Sequence, residues 1–328
     1  MTVPHSQHLQ LRKAYQKELE NLKNEAQLKK GMRLLSLNKT LQQNPKSHEK
    51  EQIQQELKQI QTEIWDNGII SEWILRPDTE CIHYSNGMYK MLVWLNVDPD
   101  TVINEVSWCF RILEFLGASP GFCVNWWRIP SARVLSPNVF PTRSEVNGGW
   151  ARPGINEIFI YRLEEWDRVL IHECIHAFSW DVSIGGPLKQ CLEHSLGMGK
   201  LTDALFEAAT ELNAEWLWCI IHSPHEDHTG DTWLKQTTWQ KNQAYAIIAR
   251  SDKTWLEDTS VFAYYIMKTV LAFEMERFKI NWLSDSENTD AWCSLWNKYK
   301  PHFLENANLN KHTCNKNISL RMTNPKLE

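Results

Sequence analysis

Apolar positions recur at helical spacing through the first part of the chain. Ile53, Leu57, Ile60 and Ile64 follow the i, i+4, i+7, i+11 seam of a coiled coil, and Leu9, Tyr15, Leu19 and Leu22 form a looser stripe. Between the two stripes lies the polar stretch 38–50, with Pro45, which reads as a loop. Residues 1–64 are therefore expected to form a helical hairpin or coiled-coil arm. It serves either as a solvated extension or as a surface for a protein partner or self-association.

From residue 65 the texture changes. PDTE (77–80) and NVDPD (96–100) are turn signals, and Thr101 to Leu116 carries Ile103, Val106, Phe110, Ile112 and Leu113 on one helical face. FCVNWWRI (122–129) reads as a strand, the proline-containing stretch 130–144 as a loop, and 144–151 and 156–162 as two short strands around Pro153-Gly154. Helices follow over roughly 163–180, 202–221, 237–250 and 259–280. Strands early and helices late predict an α+β domain over 65–305, with a polar, weakly patterned tail at 306–328.

Composition narrows the function classes. Hydrophobic residues make up 42 % of the 328, enough for a sizeable core, and seventeen tryptophans supply bulk for it. The net charge of −5 argues against a nucleic-acid partner. The longest apolar stretch, 261–273, is too short to span a bilayer and contains Lys268, so no membrane association is expected. The eight cysteines are dispersed and the N-terminus lacks the apolar core of a signal peptide. Reduced thiols and a cytoplasmic, reducing location follow as expectations.

One motif carries chemistry. VLIHECIHAF (169–178) contains H-E-x-x-H, which on a helix projects His172 and His176 from one face, with Glu173 beside them. Two imidazoles so spaced can bind one metal ion, and Glu173 can reach a water on it as general base. Nitrogen and carboxylate ligands suit Zn2+, although imidazole also serves other transition metals. Surface histidines would be the bland alternative. The apolar neighbours Ile171, Cys174, Ile175, Ala177 and Phe178 speak for a buried helix instead, in which polar groups need partners. The metzincin extension is absent, since Ser179 and Val182 stand where it needs glycine and histidine.

With a downstream helix over FEAATELNAEWLW (206–218), the sequence resembles the gluzincin group of zinc metallopeptidases, with their zincin-like fold. TELNAEW (210–216) loosely matches that group's N-E-G-F-A-E-W stretch. The resemblance implies a third metal ligand from this helix, with Glu211 leading and Glu207 or Glu215, one turn away on either side, as alternatives or as supports for an imidazole. More widely, residues 147–181 are similar to metallopeptidase-like proteins of large DNA viruses, which implies host cytoplasm or virion as the location. Those proteins also carry a pair like Tyr264-Tyr265 and a stretch like SLRMT (319–323). Tyr264 or Tyr265 is then the candidate donor to the developing oxyanion, against a role in core packing.

Further candidates follow from chemistry. Gly148-Gly149 suits a sheet edge that a substrate backbone approaches. Arg321 could bind a substrate carboxylate, His222, His225 and His228 form a loop cluster, Cys174 is a packed thiol, and Asp181 stands near the metal helix. The expected function is hydrolysis of a peptide or protein substrate by a metal-activated water. A non-peptide amide substrate is one alternative. Another is a structural or scaffolding protein that retains the fold.

Overall fold

A computed structural model describes residues 38–41, 68–152, 154–180, 186–196, 201–202, 204–223, 229–250, 257–273, 287–309 and 316–327. Apart from 38–41, the expected arm lies outside these residues, as do Asp181, His225 and His228. The described chain is α+β, as expected.

A six-stranded mixed sheet runs in the order β1-β2-β3-β4-β7-β6. β1 (Asn38–Leu41), β2 (Glu80–Ser85) and β3 (Lys90–Leu95) are antiparallel neighbours. β4 (Cys123–Trp127) is parallel to β3, and β7 (Glu157–Ile160) is parallel to β4. The edge strand β6 (Gly149–Ala151) runs antiparallel to β7, pairing Gly149 with Ile160 and Ala151 with Ile158. A two-stranded patch joins β5 (Val134–Leu135) to β8 (Ile318–Ser319).

Both faces of the sheet are covered, and the alternation along each strand shows how. Met91, Val93 and Leu95 of β3, Val124 and Trp126 of β4, and Ile158 and Ile160 of β7 enter one core. Against that face pack α2 (Ile103–Phe115) and α4 (Trp166–Ala177). The intervening residues Trp94, Trp127 and Phe159 enter a second core, with Trp150 of β6, under the short helix α1 (Ile69–Leu75). Trp127, Trp150 and Phe159 stack there with nearly parallel rings, Trp150 and Phe159 at 4.7 Å between centroids.

A third core is helical. It draws on α5 (Gly186–Leu196), α6 (Glu207–His222), α7 (Thr229–Arg250), α8 (Lys268–Phe273) and α9 (Glu287–Leu309). A π-helical turn, Phe262–Met267, leads into α8. α6 ties the layers together. Its Ala208, Ala209 and Leu212 enter the helical core, and its Ala214, Leu217 and Trp218 enter the sheet core.

Three expectations change. Asn38–Leu41, expected in a loop, forms β1 by pairing with β2. The stretch 144–151, expected as a strand, begins instead with a helical turn, α3 (Arg143–Val146). A capping box closes that turn: Thr142 N–H donates to Glu145 Oε2 at 2.9 Å. The supposed tail is structural as well. Leu320, Met322 and Thr323 are buried, and Gln236, Trp239 and Gln243 of α7 donate side-chain hydrogen bonds to main-chain carbonyls of Met322, Arg321 and Ser319. Cys191 of α5 and Cys293 of α9 lie side by side, Cα atoms 6.3 Å apart, within reach of one another for a disulfide, whereas Cys81, Cys109, Cys123, Cys174 and Cys219 are free. None of the helices among the described residues is long and apolar enough to cross a membrane.

Candidate metal centre

The motif helix α4 packs against β6, β7 and α6. It opens at Glu165, whose left-handed φ of 58° is uncommon for a residue with a side chain. That conformation is held from outside the helix: Met322 N–H donates to Glu165 Oε2 at 3.0 Å, and the Thr323 amide and hydroxyl donate to Oε1. The chain's late segment thus clamps the start of the motif helix.

Two four-residue periods then meet. Arg168, His172 and His176 repeat every turn of α4, and Glu207, Glu211 and Glu215 every turn of α6. They engage in opposite chain order. Glu207 Oε2 lies 3.3 Å from His172 Nε2 and 3.3 Å from His176 Nε2, and the two Nε2 atoms are 2.9 Å apart. Glu211 sits one turn further on. Its Oε1 is 2.9 Å from His172 Nδ1, at an angle outside a regular hydrogen bond, and its Oε2 pairs with Arg168. Lys268 of α8 completes the series, 2.5 Å from Glu215 Oε1 and 3.7 Å from Glu211 Oε2.

This arrangement separates the three acids that the sequence left as alternatives. Glu207 faces the nitrogens that point outward from the motif. Glu211, the leading choice from sequence, stands behind His172 and joins it to Arg168. Glu215 answers the buried ammonium of Lys268.

The triangle of two imidazole nitrogens and a carboxylate oxygen is electron-rich and buried. Tetrahedral zinc with bonds of about 2.0–2.1 Å sets its ligand atoms about 3.3 Å apart. The observed edges of 2.9, 3.3 and 3.3 Å fit that frame. Protonation fits too. Burial pushes His172 down to about 4, leaving a neutral ring. Burial also works against charge on Glu207, but the imidazoles of His176 and His172 outweigh it and hold the acid at about 2. A metal needs His172 neutral and Glu207 ionised, and its charge would take the place of the imidazole charge that depresses the acid here. A buried group of His172, Glu173 and His176, with ligand-type atoms within 4.8 Å of one another, could hold a metal ion. Of the two nearby acids, Glu207 bridges both imidazoles, while Glu173, one residue after His172, projects toward the edge strand.

Glycine makes room for Glu173. A Cβ on Gly149 would meet Phe159 O at 2.6 Å, Val169 Cγ1 at 2.8 Å and Glu173 Oε1 at 3.1 Å. The first neighbour is main chain and cannot yield. Gly149→Ala should therefore lift β6 from β7 and cost about 1–3 kcal/mol in urea unfolding, a strain penalty of the kind overpacking brings. A change below about 0.5 kcal/mol would contradict this tight seat. Burial pushes the Glu173 carboxyl up to about 8, and a cation opposite it would draw the value back down.

Beside the triangle lies a cavity of about 40 Å³, lined by His172, Glu173, Gly148, Gly149, Tyr264 and Arg133 among others. The Tyr264 ring is 6.3 Å from that of His172, and burial pushes its hydroxyl well above the usual range, so it stays protonated. Tyr265 turns elsewhere: its hydroxyl donates to Leu320 O at 2.8 Å, and it takes no part in the cavity lining. Both sit in the π-helical turn, a feature frequent at functional sites. Arg321 lies 3.7 Å from Glu164 and does not line the cavity. His222 pairs with Asp167 at 2.9 Å and stacks on Trp218, away from the triangle. Cys174 is packed in the sheet core.

Sequence reasoning passed over Arg133, Glu165, Arg168 and Lys268. Arg168 alone carried a signal, standing one helical turn before His172 on the same face. Comparison with protein-family models, curated proteins and solved structures returned no match to the chain.

Proposed function

We propose that the chain is a zinc-dependent hydrolase of peptide bonds, with His172, His176 and Glu207 as metal ligands and Glu173 as general base. The observation that carries this reading is the convergence of two imidazole nitrogens and one carboxylate oxygen in a buried triangle, with a second carboxylate alongside. When bound, zinc polarises a substrate carbonyl and acidifies water toward neutrality. The remaining work falls to the chain. Glu173 takes a proton from the attacking water at its carboxylate and delivers it to the departing amine. Tyr264, protonated and at the cavity wall, donates a hydrogen bond to the oxygen on which charge develops. Arg168 and Lys268 fix Glu211, which braces His172 from behind. β6, an edge strand with Gly149 beside Glu173, presents main-chain groups to an extended peptide.

The test is elemental analysis of purified chain, followed by incubation of the zinc-loaded protein with a peptide library read by mass spectrometry. About one zinc per chain and new peptide termini are expected. Protein that takes up no zinc would end the proposal. Tight zinc with no cleavage of any peptide would leave a scaffolding role for a metal-bearing fold.

A further inference from the structure

The cavity beside Glu173 contains a guanidinium that the reaction above does not use. Arg133 is only 2 % exposed, yet its Nε and Nη1 have no hydrogen-bond partner among the described residues. Its nearest carboxylate, Glu165, lies 3.6 Å from Nε and already accepts from the Met322 amide and from the Thr323 amide and hydroxyl. The Tyr265 hydroxyl is a further hydrogen-bond partner of the guanidinium. Buried cations with unmet donors are costly, so such a group calls for an acceptor.

A second buried cation stands nearby. Arg162, also buried, gives its donors to the main-chain oxygens of Asn147, Ser131 and Ser144 and to Ser131 Oγ, and makes no carboxylate contact among the described residues. Among the described residues Glu165 is thus the one acid within ion-pair distance of either guanidinium, while Glu164, engaged by Arg321 and by the Arg133 main chain, stands farther off.

The backbone is shaped for the guanidinium. A Cβ on Gly148 would fall 2.4 Å from Arg133 Nη2. Consecutive glycines of one edge segment therefore admit two different groups, the Arg133 guanidinium at Gly148 and the Glu173 carboxylate at Gly149. The Arg133 main chain is held as well, its N–H donating to Glu164 at 2.5 Å and its carbonyl accepting from Leu320 N–H at 2.7 Å.

From this geometry we infer that Arg133 recognises a carboxylate on the substrate, next to the bond that Glu173 helps to cleave. The inference rests on the hydrolase reading of the cavity. A guanidinium pairs with carboxylates through directed, charge-assisted hydrogen bonds. The carboxylate belongs either to a peptide C-terminus or to an aspartate or glutamate side chain beside the scissile bond.

Binding tests it separately from turnover. The zinc-loaded Glu173→Gln chain, in which bound peptide persists, is dialysed to equilibrium against matched peptides. One pair differs as C-terminal acid and amide. The other pair, both amidated, differs as glutamate and glutamine. The acidic member of one pair should bind about 10- to 100-fold more tightly, as for hydrogen bonds to a charged group. Which pair shows the difference identifies the source of the carboxylate. Adding Arg133→Gln should bring the two members within about twofold, and Arg133→Lys should restore part of the gap, with zinc content and circular dichroism unchanged. Equal binding within both pairs overturns the inference, even should Arg133→Gln fail to fold, because that comparison needs only the arginine-bearing chain. A persistent gap in folded Arg133→Gln overturns it too. Cleavage by the wild-type chain without any carboxylate preference leaves the hydrolase standing and removes Arg133. Preference without cleavage does the reverse.

Discussion

Glu173→Gln should leave zinc bound at one per chain while lowering peptide hydrolysis by about a thousandfold. The magnitude is that of losing a positioned general base. Metal retention follows from geometry: Glu207, not Glu173, bridges the two imidazoles, so the substitution leaves the triangle intact. The fold should also persist. Burial already favours the protonated Glu173 carboxyl, whose value rises to about 8, and glutamine is close in shape to the neutral acid. The sign of the pH effect follows. In the metal-free wild-type chain, a carboxyl with a raised folded value binds more protons folded than unfolded, so its contribution is complete below about 4.5 and is lost as pH rises toward about 8. Metal-free Glu173→Gln lacks that loss and should gain on the wild type between pH 5 and 8 in urea melts. Zinc content and single-turnover rates check the first claim. A variant that still cleaves within tenfold of wild type would remove Glu173 from the base role.

Glu207→Ala and Glu211→Ala should fail in different ways, although both acids stand on one face of α6. Glu207 is the third corner of the triangle. With a binding free energy of order 10 kcal/mol spread over three ligands, its loss should weaken zinc by about a hundredfold to a thousandfold. Its removal deprives no buried lysine or arginine of an ion pair among the described residues, so stability of the metal-free chain should change little. Glu211 carries the opposite burden. Arg168 pairs with it and Lys268 approaches within 3.7 Å. Removing the acid leaves Arg168 buried without that partner, a loss of about 3–5 kcal/mol in stability. Its effect on zinc should stay within about 10- to 100-fold, as for a group that orients a ligand. Competition with a chelator measures the first quantity and chemical unfolding without metal the second. Should Glu211→Ala abolish zinc binding in a chain of undiminished stability, the two assignments would have to be exchanged.

That exchange is where sequence reasoning reached its limit. The H-E-x-x-H pair was legible because its logic is internal to one helix: four residues bring two side chains onto one face whatever surrounds them. The acids at 207, 211 and 215 obey the same period, so all three share a face of α6. Only the axial registry of α6 against α4 decides which of them meets the Nε2 atoms. Registry is set by packing of Ala208, Leu212 and Ala214 into two different cores, which no local pattern reports. Strand alternation was legible for 122–129 and 156–162 for the opposite reason, since both sheet faces demand apolar side chains. The turn at 143–146 was misread although Thr142 and Glu145 spell a capping box. Arg133 left no trace because a buried arginine in a proline-rich stretch looks like a surface one. The segment 318–323 looked like a tail because its main chain, rather than apolar side chains alone, holds it to α7.

The clamp on Glu165 sets an order of events during synthesis. Its donors, Met322 and Thr323, follow it by 157 and 158 residues. At about 5–20 residues per second, the ribosome takes roughly 8–30 s to cover that stretch. For that interval the motif segment lacks the contacts that fix Glu165, and Arg133 lacks the Leu320 amide that holds its main chain. A nascent chain therefore carries the H-E-x-x-H sequence well before it carries a finished cavity. The site should reach its finished form only after residues 318–323 have left the exit tunnel.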